Sequence, residues 1–457
     1  MEAETESPKP TIGIKITFVL YGVASLLGWN ALLTKLDFFI YFLEGMRPAT
    51  SFSFLNFFLN ILFQFILIWK KNLMPLKLQL IGGIVGSILF LIAIPVSTMF
   101  LPKDEWLNYI VTGALVLLMG FINALASGGF FNFVSYFPLE LIVAFSGGQG
   151  FSGIAMNVLE YLVLIFIGGD EENLIVLRAW IFFGVSSLIL VICLILLLFN
   201  YNSDFCQYYL SKAIDKDNIP EGSLIRDSQT NEEEQQAIIN EQTEENQILE
   251  KNNGENNDNN NNNINENDNE EKKENTSSLF LILLKKIWDL DILMVYIYIV
   301  TFALFPNASI SQKLFDIGGY NSNTIIIIYN VFDTIGRYLV NILPKSKTLN
   351  IVVIIARSIL LFTLVFNLYC QRTLLWDLTL TSILLIANVG ILALTNGIGT
   401  TLTFGIAPDT VEDEYKGLAG TSLSFFLIVG IFLGSCVNFG VEALISTFED
   451  NTKNNNN

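Results

Sequence analysis

Asn330, Asp333 and Arg337 stand in the segment YNVFDTIGRYLV, directly after the apolar run NTIIII. Spacings of three and four residues put all of them on one face of a helix, so a single polar stripe runs down an otherwise apolar element. A carboxylate accepts hydrogen bonds and a guanidinium donates a planar fork of them, which suits recognition of a hydroxyl-bearing solute. An unpaired charge at the middle of a bilayer costs several kcal/mol, so the stripe must face protein or water. Two readings follow and both can hold at once: an intrahelical salt bridge that fixes packing, and a polar cavity where a solute binds.

Other polar residues repeat the pattern. SLLGWNALLT sets Trp29 and Asn30 within an apolar run, and FSGGQGFSG places Gln149 among Gly147, Gly148, Gly150 and Gly153. Small residues there allow helix backbones to approach closely. In ALTNGIGTTLTFGIAP, Asn396 and Gly397 interrupt an apolar segment that also carries Thr400 and Thr401. Polar groups on several helices, with broad aromatic surfaces among them, suit a planar, polyhydroxylated ligand better than a bare ion. Glu160 in AMNVLEYLVLIF is expected about 8 residues, or roughly 12 Å, from the span end, close enough to reach interfacial water. The alternative for Glu160 is a buried carboxylate able to bind a proton.

The elements that carry these residues must be membrane helices. Hydrophobic residues make up 52% of the 457 residues, more than a soluble domain carries, and the apolar runs recur along the whole chain. LILVICLILLLF and IVVIIARSILLFTLVFNLY are apolar on every face, which excludes the alternating segments of a membrane β-barrel. The fold class is an all-α polytopic membrane protein with about eleven spans. They begin at 14–40, with the seventh at 286–306, the eighth at 322–343, the ninth at 349–370, the tenth at 375–406 and the last at 418–445. The organisation is a tail at 1–13, helices over 14–200, a polar loop at 201–278, helices over 279–445 and a tail at 446–457.

The net charge of −18 belongs mostly to that loop, since 19 acidic and 6 basic residues fall between Asp204 and Glu274. A tract such as NNGENNDNNNNNINENDNEE lacks the apolar residues needed to offset the entropy of ordering, so disorder is expected over 201–278. Basic clusters such as WKKNLMPLK and LPKSKTLN fall on one side of the predicted topology, which makes the N-terminus and the loop cytosolic and the C-terminal tail non-cytosolic. The chain contains no histidine, the commonest metal ligand and general base, and Cys193, Cys206, Cys370 and Cys436 are scattered. No metal site, cofactor or enzymatic activity is expected.

In order and spacing, LLGWNALLTKLDFF, GGQGFSG, FALFPNAS, YNVFDTIGR and LTNGIGTTLTFGIAPDTVEDEYKGLAGTSLSFFLIVGIFLGS resemble the signatures of the equilibrative nucleoside transporter family. The resemblance covers nearly the whole chain outside the Asn-rich tract. It implies a major-facilitator-like arrangement of six and five helices with a solute site between the halves, and facilitated diffusion of nucleosides. It further implies that Trp29 lies beside the nucleobase with Asn30 as its neighbour and Leu33 as an apolar wall. Asp333 and Arg337 match the pair that contacts ribose hydroxyls and nearby polar edges, with Asn330 one turn away. Gly148 and Gln149 match a motif tied to packing, and Phe305 and Pro306 a helix break along the pathway. The chain departs from the family in two places: Gly28 replaces a proline, and Ser127 stands where many members carry a base-reading glutamine. Asn123, one turn before Ser127, is positioned to replace that amide.

Transport of nucleobases or another polar metabolite, with or without protons, is the alternative within transport, and a non-transporting scaffold is the alternative outside it. The partners implied are a small nucleoside and the lipid bilayer rather than nucleic acid, with cytosolic partners of the 201–278 loop left open. The expected location is the plasma membrane or an endolysosomal membrane.

Overall fold

The structure, a computed structural model, describes residues 8–70, 73–169, 171–217, 268–305, 309, 312, 314, 321–373 and 375–455. Pro306 and residues 218–267 of the acidic tract therefore lie outside the described residues. Among those described, the chain is helical and no strand is present. In hydrocarbon every backbone N–H and C=O needs a partner within its own segment, which the helix alone provides to a single span.

The first half comprises α1 (Ile12–Thr34), the short α2 (Leu36–Phe42), α3 (Pro48–Trp69), α4 (Leu76–Phe100), α5 (Trp106–Val134), α6 (Leu139–Phe166) and α7 (Glu172–Tyr201). A surface helix, α8 (Asp204–Asp217), follows. The second half comprises α9 (Asp268–Leu304), α10 (Asn321–Leu339), α11 (Lys347–Ala356), α12 (Ile359–Arg372), α13 (Leu378–Ile406) and α14 (Lys416–Asn455). Local signals set several starts: the Thr11, Ser346 and Asp377 side chains each accept a backbone N–H of the first turn, and Pro48 opens α3. Ten helices among the described residues are long and apolar enough to cross a membrane. Together with α10, whose polar stripe sets it apart from them, they account for the expected spans, and the chain is a multi-pass integral membrane protein.

Five details differ from the sequence reading. Span one is not continuous to residue 40: Lys35 leaves helical geometry between α1 and α2. Span nine is divided at Arg357 and Ser358, where the Ser358 hydroxyl bonds the Tyr296 hydroxyl. Asn396 and Gly397 do not break span ten, because α13 runs through them. Part of the 201–278 tract is ordered helix: Cys206 and Leu210 of α8 are buried, Tyr209 donates to the Pro8 carbonyl, and α9 already begins at Asp268. The last helix extends past residue 445 into the expected tail.

Within the first half α1 packs on α6, and within the second α9 packs on α14 and α10 on α13. Glycines permit these contacts. A Cβ on Gly22 or Gly148 would overlap a carbonyl oxygen of the facing helix, Phe145 and Val19 respectively, and the same holds for Gly336 and Gly397 against Leu394 and Asp333. The halves meet where α6 faces α10 and where α14 lies against α3 and α5. One face of the bundle, that of the start of α1, gathers the Lys15–Glu140, Lys286–Glu412, Lys345–Asp409 and Lys416–Asp413 pairs. The opposite face carries Glu172, bonded by Tyr41, and Lys103 over the Tyr41 ring.

Candidate functional site

The polar stripe of α10 is turned inward, with Asp333 and Arg337 both buried. Arg337 Nε donates to Asp333 Oδ2 at 2.7 Å, one helical turn away, and Asn396 Nδ2 of α13 donates to the other carboxylate oxygen at 2.8 Å. Arg337 also crosses to the first half, its Nη1 donating to the Ser146 carbonyl at 3.1 Å, the Ser146 hydroxyl at 2.9 Å and Gln149 Oε1 at 3.1 Å. Gln149 Nε2 in turn donates to Ser25 Oγ of α1 at 3.2 Å, and Ser146 Oγ lies 2.7 Å from Thr401 Oγ1. A desolvated ion pair needs this many partners, because its mutual attraction alone does not offset the loss of water.

The network extends away from α10. Thr301 Oγ1 of α9 lies 2.8 Å from Asn396 Oδ1, and Arg357 Nη2 donates to the same Thr301 oxygen at 2.6 Å. With Thr301 at its oxygen and Asp333 at its nitrogen, the Asn396 amide is held in one orientation. Asp333 therefore presents its carboxylate to a fixed donor on either side, one from α10 and one from α13.

Trp29 and Asn30 form a second group farther along α1. Trp29 packs on Phe57 of α3 with ring centroids 4.9 Å apart, Asn30 Nδ2 donates to Ser152 Oγ at 3.1 Å, and Leu33 is partly buried against the same apolar core. Asn330 is held against Gly153, where a Cβ would overlap its amide. Phe305, the residue after α9 ends, stacks on Tyr329 at 4.0 Å. Asn123 and Ser127 form a third group with residues of α3: Asn123 Nδ2 donates to Asn56 Oδ1 at 3.2 Å, and Ser127 Oγ accepts from Gln64 Nε2 at 2.8 Å.

Gly148 and Gly397 lie behind the site, bringing α1 onto α6 and α10 onto α13. Below it, toward the face of the α1 start, Phe131 and Phe404 stack at 3.9 Å with an interplanar angle of 6°, and Gly420 is pressed against Ser135 and the Phe131 carbonyl. The halves are thus closed together at that face.

Glu160 corrects the expectation that it reaches interfacial water. It is 2% exposed and pairs with Lys35 at 2.7 Å, and Lys35 itself is fully buried and also 3.2 Å from Asp37. An internal counter-ion took the place of snorkelling: Lys35, buried at the α1–α2 break, meets the Glu160 carboxylate inside the bundle. Sequence reading also passed over Ser25, Ser146, Thr301 and Arg357, whose partners come from distant helices. Asn56, Asn60 and Gln64 were findable, because three amides at four-residue spacing in an apolar span form a stripe like that of α10.

The family model described as "Nucleoside transporter" matches residues 113–443. "Equilibrative nucleotide transporter 7" of Arabidopsis thaliana is 24% identical over 434 residues, covering 92% of each chain. "Equilibrative nucleoside transporter 2" of Mus musculus is 23% identical over 461 residues, covering 94% of this chain and 97% of the relative. Among solved structures, the major facilitator superfamily proton:xylose symporter XylE aligns with a TM-score of 0.58 at 12% identity over 95% of both chains. The transporter FucP in its outward conformation aligns with a TM-score of 0.54 at 13% identity over 95% of this chain and 96% of its own. The fold is that of the major facilitator transporters, two helical halves meeting along a central seam.

Proposed function

Because the chain belongs to the nucleoside transporter family, we propose that it is a facilitative nucleoside carrier working by alternating access, with Asp333 and Arg337 at the polar centre of its solute site. The observation that carries this reading is the double engagement of Arg337, which holds Asp333 within its own half and bonds Ser146 and Gln149 in the other. A solute that accepts from Arg337 and donates to Asp333 competes with those bonds, so binding and the contact between halves are coupled.

In this reading Trp29 offers its ring to the base, with Asn30 and Leu33 beside it, while Asn123 and Ser127 flank the base edge. Asp333 accepts from ribose hydroxyls and Arg337 donates to ring or sugar acceptors, with Asn330 one turn away and Asn396 holding the carboxylate. Phe305, just past the end of α9, belongs to the pathway, together with Pro306 of the same sequence motif. The state described is closed at the face of the α1 start by the Phe131–Phe404 stack, so reorientation requires those rings to part.

The basic residues gathered at that face support a cytosolic N-terminus, a cytosolic 201–278 loop and a C-terminal tail on the other side. Cleavage of the loop by protease from the cytosolic side alone checks the orientation. Counterflow checks the mechanism: vesicles preloaded with unlabelled nucleoside are expected to accumulate labelled nucleoside transiently above its outside concentration. Saturable flux without counterflow would overturn alternating access.

A further inference from the structure

Three carboxamides climb one face of α3: Asn56, Asn60 and Gln64 are spaced four residues apart and all are buried. They face Asn123 and Ser127 of α5. Gln64 Nε2 donates to Asn60 Oδ1 at 3.0 Å and to Ser127 Oγ at 2.8 Å, which uses both of its protons and fixes which way the amide points. Ser127 gives its single proton to the Asn123 carbonyl at 2.7 Å. The serine hydroxyl therefore has no donor left for a ligand.

Two atoms of the ladder remain without a partner, Gln64 Oε1 and Asn56 Nδ2. A buried polar atom left without a partner is costly, so packing by itself does not account for an amide oxygen left bare. The ladder stands where the halves meet. A Cβ on Gly128 would lie 3.9 Å from both Gln64 Cδ and Thr421 Cγ2 of α14, and Phe57, next to Asn56, carries the ring on which Trp29 packs.

We infer that Gln64 is a specificity-determining residue of the nucleoside site, its Oε1 accepting a hydrogen bond from an N–H on the nucleobase. This rests on the reading of the chain as a nucleoside carrier and adds to it a chemical preference. Bases that present an amino proton to this oxygen are favoured over bases with a bare C–H there. Ser127 acts through Gln64 as a positioning residue, holding the amide nitrogen so that the oxygen stays free.

The test uses the full chain in vesicles, with adenosine and purine riboside as competitors of labelled uridine uptake. The two competitors differ only in that C6–H replaces the amino group. Wild type is expected to favour adenosine about tenfold, the worth of roughly one hydrogen bond to a buried acceptor, and Gln64→Met to bring the ratio within about twofold. Discrimination between adenosine and 2′,3′-dideoxyadenosine, assigned to Asp333, is expected to survive in Gln64→Met and marks an intact site. Equal competition by adenosine and purine riboside in wild type overturns the assignment without any variant. An undiminished ratio in Gln64→Met, or loss of both discriminations together, overturns it as well. Uridine uptake in wild type separates the two levels: absent uptake removes the carrier reading and the assignment with it, whereas normal uptake with unaltered ratios removes Gln64 alone.

Discussion

Arg337 Nη1 of α10 lies 3.1 Å from Gln149 Oε1 of α6, while Nε of the same guanidinium holds Asp333 Oδ2 at 2.7 Å. One side chain thereby links the buried carboxylate of the second half to the first half. Any motion that separates α6 from α10 must break the Gln149 bond, whereas the Asp333 bond travels with its own helix.

Arg337→Leu is expected to abolish nucleoside uptake. The variant leaves Asp333 with Asn396 as its remaining bonded donor, and removing one partner of a buried pair costs about 3–5 kcal/mol. Asp333→Asn combined with Arg337→Leu should recover much of that stability without recovering uptake. Thermal unfolding in detergent read beside vesicle uptake checks the prediction. Uptake by Arg337→Leu near the wild-type rate would remove the arginine from the site.

Gln149→Leu is expected to loosen the contact between halves rather than unfold the chain. Arg337 keeps its Ser146 and Asp333 bonds; across the halves the loss is one charged hydrogen bond, about 1.5–3 kcal/mol, enough to shift an equilibrium roughly tenfold or more, while the lost Gln149–Ser25 bond lies within the first half. A cysteine placed at Ser135, under the Phe131–Phe404 stack, should then react faster with a thiol reagent. An unaltered labelling rate would show that the contact does not hold that face shut.

Glu160→Gln is expected to destabilise the first half, because Lys35 is left fully buried with only Asp37 as a carboxylate partner within bonding distance. The cost is about 3 kcal/mol, and Lys35→Met together with Glu160→Leu should return most of it by removing both charges. The melting temperatures of the single and double variants decide this. A single variant as stable as wild type would contradict the pairing.

Gly397→Ala is expected to reduce uptake more than abundance. The added methyl would overlap the Asp333 carbonyl and push α10 from α13 at the point where Asn396 bonds the carboxylate. Overpacking of this kind costs about 1–3 kcal/mol and misplaces the polar pair. The ratio of uptake to membrane abundance measures the effect, and an unchanged ratio would relieve Gly397 of any positional role.

The stripe of Asn330, Asp333 and Arg337 was legible because helical spacing and the cost of a charge in hydrocarbon are local properties of a sequence. The spans were legible for the same reason: backbone satisfaction in lipid leaves the helix as the answer to each long apolar run. The break of span nine at Arg357 was not, since IVVIIARSILL is apolar enough to continue and nothing adjacent marks the Tyr296 hydroxyl that meets Ser358.

By itself the sequence determined that this is a polytopic helical membrane protein with buried charge on one helix, because hydropathy and helical periodicity are read residue by residue. Only the tertiary structure decided what each buried polar group meets: Lys35 with Glu160, Arg337 with Ser146 and Gln149, Gln64 with Ser127. Those partners lie more than sixty positions apart in each case. Hydropathy says that a buried group must be satisfied, and the packing of helices through glycine contacts, which no single segment encodes, selects the atom that satisfies it.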